Sequence, residues 1–170
     1  LSMKSIVLGG GCFWCAEAVF QRVKGVKGVV SGYAGGTSDR PNYDRIGDHA
    51  EVVQIMYDES TVSLETLLEI FFYTHNPTTL NAQGNDYGTQ YRSIILCASD
   101  ELDTARAALK RARNDWDQPI ITELKVLDTF YPAENYHQNY YNNNPQAGYC
   151  QVIINPKLEK FQKKFKEYIV

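Results

Sequence analysis

Cysteine is scarce in this chain, with four residues in 170. That excludes a small disulfide-stapled scaffold and points to catalytic, buried or metal-bound thiols. Positive charge is not in excess either: 17 Lys and Arg against 20 Asp and Glu leave a net charge of −3 at pH 7. The chain therefore has no basic footprint for nucleic acid and no polybasic patch for a membrane. No apolar run is long enough to span a bilayer. Lys4 and the apolar residues after it imitate a signal peptide, but a glycine triplet interrupts the run, which continues as an amphipathic helix. Repeats and low-complexity segments are absent. Leu1 and Ser2, ahead of Met3, read as an expression remnant. The expectation is a soluble, cytoplasmic, monomeric protein that binds neither nucleic acid nor membrane.

What is present is a hydrophobic fraction of 44%, enough for a proper core within one catalytic domain spanning residues 1–170. Twelve tyrosines offer apolar bodies with hydroxyl tips, suited to a pocket for a small polar group.

Periodicity predicts strands over residues 4–9, 26–34, 51–57, 92–98 and 122–127. Helices are predicted from residue 12 to 24, closed by Gly25, then after Ser63, then after Ser99, each serine serving as a cap. A short helix is expected near residues 133–141, and a last amphipathic one carries Leu158, Phe161, Phe165 and Tyr168. The first six elements run β-α-β-β-α-β, which predicts an α+β fold: a ferredoxin-like split βαβ core extended by a C-terminal strand, helices and long loops.

Gly9-Gly10-Gly11-Cys12-Phe13-Trp14-Cys15 carries the strongest chemical signal. Glycines allow a sharp turn and close approach of a ligand. A helix start offers free N–H groups that favour a thiolate, the nucleophilic form of cysteine. Phe13 and Trp14 supply apolar walls. The plain alternative is a small buried residue among packed aromatics. Cys12 and Cys15 also form a Cys-x-x-Cys, readable as a thioredoxin-like redox pair or half a zinc site; no second close ligand pair exists, so no metal is expected.

Glu51 opens an apolar strand. It reads either as an exposed strand-end carboxylate or as a desolvated acid able to donate a proton near neutrality. Residues 83–92 crowd hydrogen-bonding groups around two glycines and read as a pocket wall. Cys150 follows an Asn/Pro-rich stretch expected to be mobile, from which it could reach a distant thiol. Cys97 ends an apolar strand and reads as buried and inert.

These segments together resemble the A class of peptide methionine sulfoxide reductases. Gly11-Cys12-Phe13-Trp14 is similar to that family's nucleophile motif. Further blocks follow in the family's order: Ser31-Gly32-Tyr33-Ala34-Gly35-Gly36, His49-Ala50-Glu51-Val52-Val53, residues 83–93, Ala133-Glu134-Asn135-Tyr136-His137-Gln138 and Tyr149-Cys150. The resemblance implies Cys12 as nucleophile and Glu51 as proton donor, with Phe13 and Trp14 holding the substrate methyl. It also implies Tyr43, Tyr91 and Tyr149 near the sulfoxide oxygen, Asp86 organising the pocket, and Cys150 as the cysteine that closes a disulfide with Cys12. The implied reaction converts free or protein-bound methionine S-sulfoxide to methionine through a sulfenic acid. No bound cofactor is implied, and thioredoxin is the implied external reductant. Cys15, where the family often has glycine, is a candidate relay. The loop between Tyr43 and Glu51 is shorter than is usual for the family. Two rival readings are a general thiol-disulfide oxidoreductase using Cys12 and Cys15, and a non-catalytic binding module on the same fold.

Overall fold

The computed structural model describes residues 3–170; the reading of Leu1 and Ser2 lies outside the described residues. In chain order the elements are β1 (Met3–Gly9), α1 (Phe13–Phe20), β2 (Val26–Ala34), β3 (Ala50–Asp58), α2 (Leu64–Thr74), β4 (Ala82–Gln83), β5 (Asp86–Tyr87), β6 (Ile94–Cys97), α3 (Leu102–Ala112), β7 (Glu123–Val126), β8 (Tyr131–Pro132), α4 (Tyr140–Asn143) and α5 (Asn155–Lys164). The main sheet has the order β7-β6-β1-β3-β2-β8. Its centre, β6-β1-β3-β2, is antiparallel throughout and has the ferredoxin-like arrangement expected from the element order. β7 adds a parallel strand beside β6, and β8 an antiparallel pair of residues beside β2.

Strand alternation sorts the apolar residues between two faces. Ile6, Leu8, Val53, Ile55, Tyr57, Ile95 and Cys97 join the helices in the larger core. Val7, Val52, Ile94 and Leu96 form a smaller cluster on the other face, closed by Leu127 and Phe130. Both faces are covered, which explains why β1 and β6 read as continuous apolar runs.

Helix boundaries differ from the periodicity at informative places. Ser63 caps α2 as expected, its side chain accepting the Thr66 N–H at 3.1 Å. Ser99 is not the cap of α3: it starts a 3-10 turn, Ser99–Glu101, whose N-cap is Ala98 with its N–H held by the Glu101 carboxylate at 3.1 Å, and Glu101 is itself the N-cap of α3. Regular helix α1 stops at Phe20, four residues before the expected end. The turn after it is tied to the C-terminus instead, through Lys24 N–H to Tyr168 and Val170 N–H to Arg22. The helix expected over residues 133–141 breaks in two, because Asn139 adopts a left-handed φ of 56° between a short 3-10 turn and α4. The long loop over residues 78–90 contains the two-stranded β4-β5 ribbon. No helix among the described residues is long and apolar enough to cross a membrane.

Candidate active site

Cys12 is the N-cap residue of α1, partly exposed, directly beyond the end of central strand β1. The glycines before it are required by contact. A Cβ on Gly10 would stand 2.8 Å from the His75 ring. Gly11 has a φ of +102°, and a Cβ there would meet Gln83 Cγ at 2.7 Å. The backbone thus presses against its neighbours and delivers Cys12 to the rim of the sheet.

Neighbouring strand β3 brings Glu51 beneath this turn. The side chain is 1% exposed. Its Oε1 accepts the Phe13 N–H at 3.1 Å. Burial raises its pKa to about 8, against the pull of the Phe13 N–H and with help from the charges of Asp86 and Cys15. Glu51 therefore holds a proton at neutral pH, the desolvated reading of the sequence rather than the exposed one.

The two nearby thiols divide their roles. Burial pushes the Cys12 thiol well up, and its hydrogen bond and charge coupling with Cys15 push it further. Cys15 is pulled down to about 7 because it accepts from Cys12, with Lys157 and Tyr149 assisting. This reverses the expectation of a resting thiolate at Cys12: α1 has only eight residues, and the helix-start effect loses to burial.

Around the thiols the side chains form a connected wall. Tyr149 lies 3.6 Å from Cys15 Sγ through its hydroxyl, which donates to Asp86 Oδ2 at 2.8 Å. Burial and the charges of Glu51 and Cys12 raise the hydroxyls of Tyr91 and Tyr43, and the Tyr43 ring packs at 4.4 Å on His137, which packs at 5.1 Å on Phe13. Phe13 packs on Tyr33, with ring centroids 5.7 Å apart. Trp14 stacks flat on Tyr140 at 3.7 Å and 7°. The structure thus brings Cys12, Cys15, Phe13, Trp14, Tyr43, Glu51, Asp86, Tyr91 and Tyr149 to one site.

Cys150 is placed differently from expectation. Gly148 and Tyr149 are helical, and Cys150 begins a π-helical turn, Cys150–Ile154, that runs directly into α5. The thiol is buried and raised by that burial, with a further push from the Cys15 charge. The segment is a packed helix start and not a free tether. Cys97 is buried on β6, its thiol pushed up to about 11, as an inert core cysteine would be.

Several site residues had no role in the sequence reading. Glu134 ties two tyrosines together, accepting the Tyr33 hydroxyl at 2.9 Å and the Tyr43 N–H at 3.0 Å. Buried Glu17 on α1 accepts the N–H groups of Asn139 and Tyr140 at 2.8 and 3.1 Å, fixing the residue on which Trp14 stacks. His137 accepts the Trp14 indole N–H at 3.1 Å. For Glu134 and His137 the signal was the block Ala133–Gln138 noted in the sequence; for Glu17 there was none.

A reactive thiol pair beside a buried acid that holds its proton, on this sheet, defines a thiol-based oxidoreductase. Comparison with known proteins gives it a family. The model of the family "Peptide methionine sulfoxide reductase" matches residues 4–169. A peptide methionine sulfoxide reductase MsrA of Acinetobacter baumannii strain AYE is 53% identical over 167 residues, covering 96% of each chain. Among solved structures, Mxr1 of Saccharomyces cerevisiae in reduced form superposes with a TM-score of 0.81 at 36% identity, covering 88% of this chain and 90% of its own. Mxr1 in complex with Trx2 superposes with a TM-score of 0.59 at 25% identity, covering 82% and 85%. This chain belongs to the peptide methionine sulfoxide reductase family, and it is a thiol-dependent methionine sulfoxide reductase.

Proposed function

We propose that Cys12 is the nucleophile and Glu51 the proton donor in reduction of free and protein-bound methionine S-sulfoxide. The observation that carries this is the Glu51 carboxyl, proton-bearing near neutrality and hydrogen-bonded to the residue that follows Cys12. A sulfoxide oxygen leaves sulfur only when protonated. Cys15 first takes the Cys12 proton. The Cys12 thiolate and the sulfoxide then react as the Glu51 proton passes to the oxygen. Sulfur–oxygen cleavage releases methionine and leaves a sulfenic acid on Cys12, with Glu51 ionised. Methionine sulfur is reduced by two electrons and Cys12 sulfur is oxidised by two.

Phe13 and Trp14 receive the methyl group. Tyr43, Tyr91 and Tyr149 hydrogen-bond around the oxygen, with Asp86 orienting Tyr149. Condensation of the sulfenic acid with a second thiol forms a disulfide and water. Cys150 is the resolving thiol in this reading, and Cys15, which adjoins both partners, is a candidate relay. Cys150 is buried in a helical turn, so opening of the turn over residues 148–154, or transfer through Cys15, is the route by which it meets Cys12 in this reading. Thioredoxin then restores both thiols by exchange, with support from the yeast Mxr1 structure solved with Trx2. In this reading the chain works as one catalytic domain and as a monomer. A cycle that starts from free thiols suits the cytoplasm.

The test is incubation with methionine S-sulfoxide and dithiothreitol, followed by measurement of methionine. The native chain should turn over, and Cys12→Ser should not. Substantial turnover by Cys12→Ser would overturn the assignment. A general disulfide oxidoreductase would leave the sulfoxide untouched.

A further inference from the structure

All three histidines of this chain are buried, yet they use their ring nitrogens differently. His49 Nδ1 accepts the Gly36 N–H at 3.0 Å, and its Nε2 donates to the Ser38 carbonyl at 2.6 Å. His75 Nδ1 donates to the Phe71 carbonyl at 2.5 Å, and its Nε2 accepts from Ser93 Oγ at 2.8 Å. Both are histidines of the structural kind, with each nitrogen paired. His137 is 1% exposed and pairs only one. Its Nδ1 accepts the Trp14 indole N–H at 3.1 Å. The ring proton must then sit on Nε2, which is buried and has no partner among the described residues.

The orientation of Trp14 explains this arrangement. Tyr140 stacks on the indole at 3.7 Å and 7°, which fixes the plane of the ring but leaves it free to turn within that plane. Tyr149 meets it edge-on at 5.8 Å, again without a directional bond. The bond to His137 supplies the missing direction, since an N–H···N contact weakens steeply when misaligned. His137 is itself held firmly. The next residue, Gln138, is stapled to β2 by its side chain, accepting the Ser31 N–H and donating to the Ser31 carbonyl, both at 2.9 Å. The His137 ring also packs on Phe13 at 5.1 Å and Tyr43 at 4.4 Å.

We propose that His137 is a positioning residue of the sulfoxide site, setting the in-plane orientation of the Trp14 indole and so the shape of the methyl-binding wall. This rests on the reading of Trp14 as part of that wall. The ring is placed for Trp14 at the expense of its own second hydrogen bond, which packing alone does not account for.

The test uses a Trp116→Phe background, so that Trp14 is the sole tryptophan. In that background His137→Leu should shift the Trp14 emission. It should also raise the KM for methionine S-sulfoxide about five- to tenfold, the size of one lost hydrogen bond, with kcat less affected. His137→Asn places an amide oxygen where Nδ1 stood, and should restore the emission and bring KM to within about twofold of the parent. Unchanged emission and KM in His137→Leu would overturn the proposal. So would an Asn variant no better than the Leu variant. If the Leu variant fails to fold, the Asn variant decides alone: parental emission and KM support the proposal, and their loss overturns it. Failure of the parent to reduce the sulfoxide would overturn the reading of the site instead, and would leave the emission comparison standing.

Discussion

Glu51 Oε1 and the backbone N–H of Phe13 are 3.1 Å apart, which couples the buried acid of β3 to the first turn of α1. The contact has two effects. It keeps the carboxyl beside the residue that follows the nucleophile, and it occupies one carboxyl oxygen so that the proton resides on the other. Burial outweighs the pull of this N–H toward ionisation, and the net pKa of about 8 leaves Glu51 protonated at neutral pH.

Glu51→Gln keeps the shape and the Phe13 contact but removes the transferable proton. General acid catalysis typically contributes about 10²- to 10⁴-fold, so kcat should fall within that range while the melting temperature holds. Native activity should decline as pH rises through about 8, where Glu51 ionises. The glutamine variant should lose that alkaline limb. A few-fold loss, or an unchanged limb, would reduce Glu51 to a structural role.

The thiols make a separate prediction. Stoichiometric sulfoxide without reductant should yield a Cys12–Cys150 disulfide by peptide mapping. Cys150→Ser should release one equivalent of methionine and then stop with thioredoxin, while still cycling with dithiothreitol. If Cys15 carries the disulfide across, Cys15→Ser should slow disulfide formation while still releasing one equivalent of methionine, at a reduced rate because Cys15 no longer takes the Cys12 proton. Normal cycling of Cys150→Ser with thioredoxin, or a map showing Cys12–Cys15 alone, would move the resolving role to Cys15.

Much of this was legible in the sequence because it is local. Alternating or continuous apolar residues marked the five strands, and Ser63 with its following apolar face marked α2. The fate of Cys12 was not legible. A helix start favours a thiolate, but burial and a second thiol three residues later reverse the balance, and both depend on what packs above α1. The same holds for Glu17, Glu134 and His137. Their partners lie 91 to 123 residues away in sequence, and no local pattern announces such pairs. Cys150 misled for the opposite reason. The Asn/Pro-rich stretch before Cys150, with Pro145 and Gly148, suggested a tether, yet Gly148 and Tyr149 are helical and the helix of α5, which tolerates Pro156 in its first turn, continues backward through Cys150.

Gly11 offers a test of how closely the backbone delivers the nucleophile. Alanine there combines a φ of +102° with a Cβ 2.7 Å from Gln83 Cγ. The turn must shift, and displacement of a reacting group by about 1 Å can cost on the order of 100-fold in rate. Gly84→Ala is the matched control: its φ is also positive, at +57°, but nothing lies within 4 Å of the added carbon. Gly84→Ala should lose about 1–2 kcal/mol of stability from the left-handed backbone, and Gly11→Ala, which also carries the clash, at least as much. Only Gly11→Ala should lose most of its activity. Equal rates in the two variants would show that the turn tolerates movement.

His75 gives the fold an acid-sensitive point beneath the active site. It is packed against Gly10 and bonded at both nitrogens as a neutral ring, and burial above all, with the Lys157 charge adding, lowers its pKa to about 3. In the unfolded chain it titrates near its ordinary value of about 6.5. Between those two values the unfolded state binds a proton that the folded state refuses. Stability contributed by the neutral ring is therefore fully present above about pH 6.5 and is lost as pH falls toward about 3. At about 1.4 kcal/mol per pH unit, the loss between pH 6.5 and pH 4 reaches up to about 3 kcal/mol. Carboxylates elsewhere also titrate in this range, so the informative quantity is a difference between proteins. Urea unfolding of the native chain and of His75→Asn, compared at pH 7 and pH 4, should show the stability gap narrowing at the lower pH by up to that amount. A gap of constant size would mean that His75 is protonated in the folded state, and that its bonds to Phe71 and Ser93 rearrange in acid.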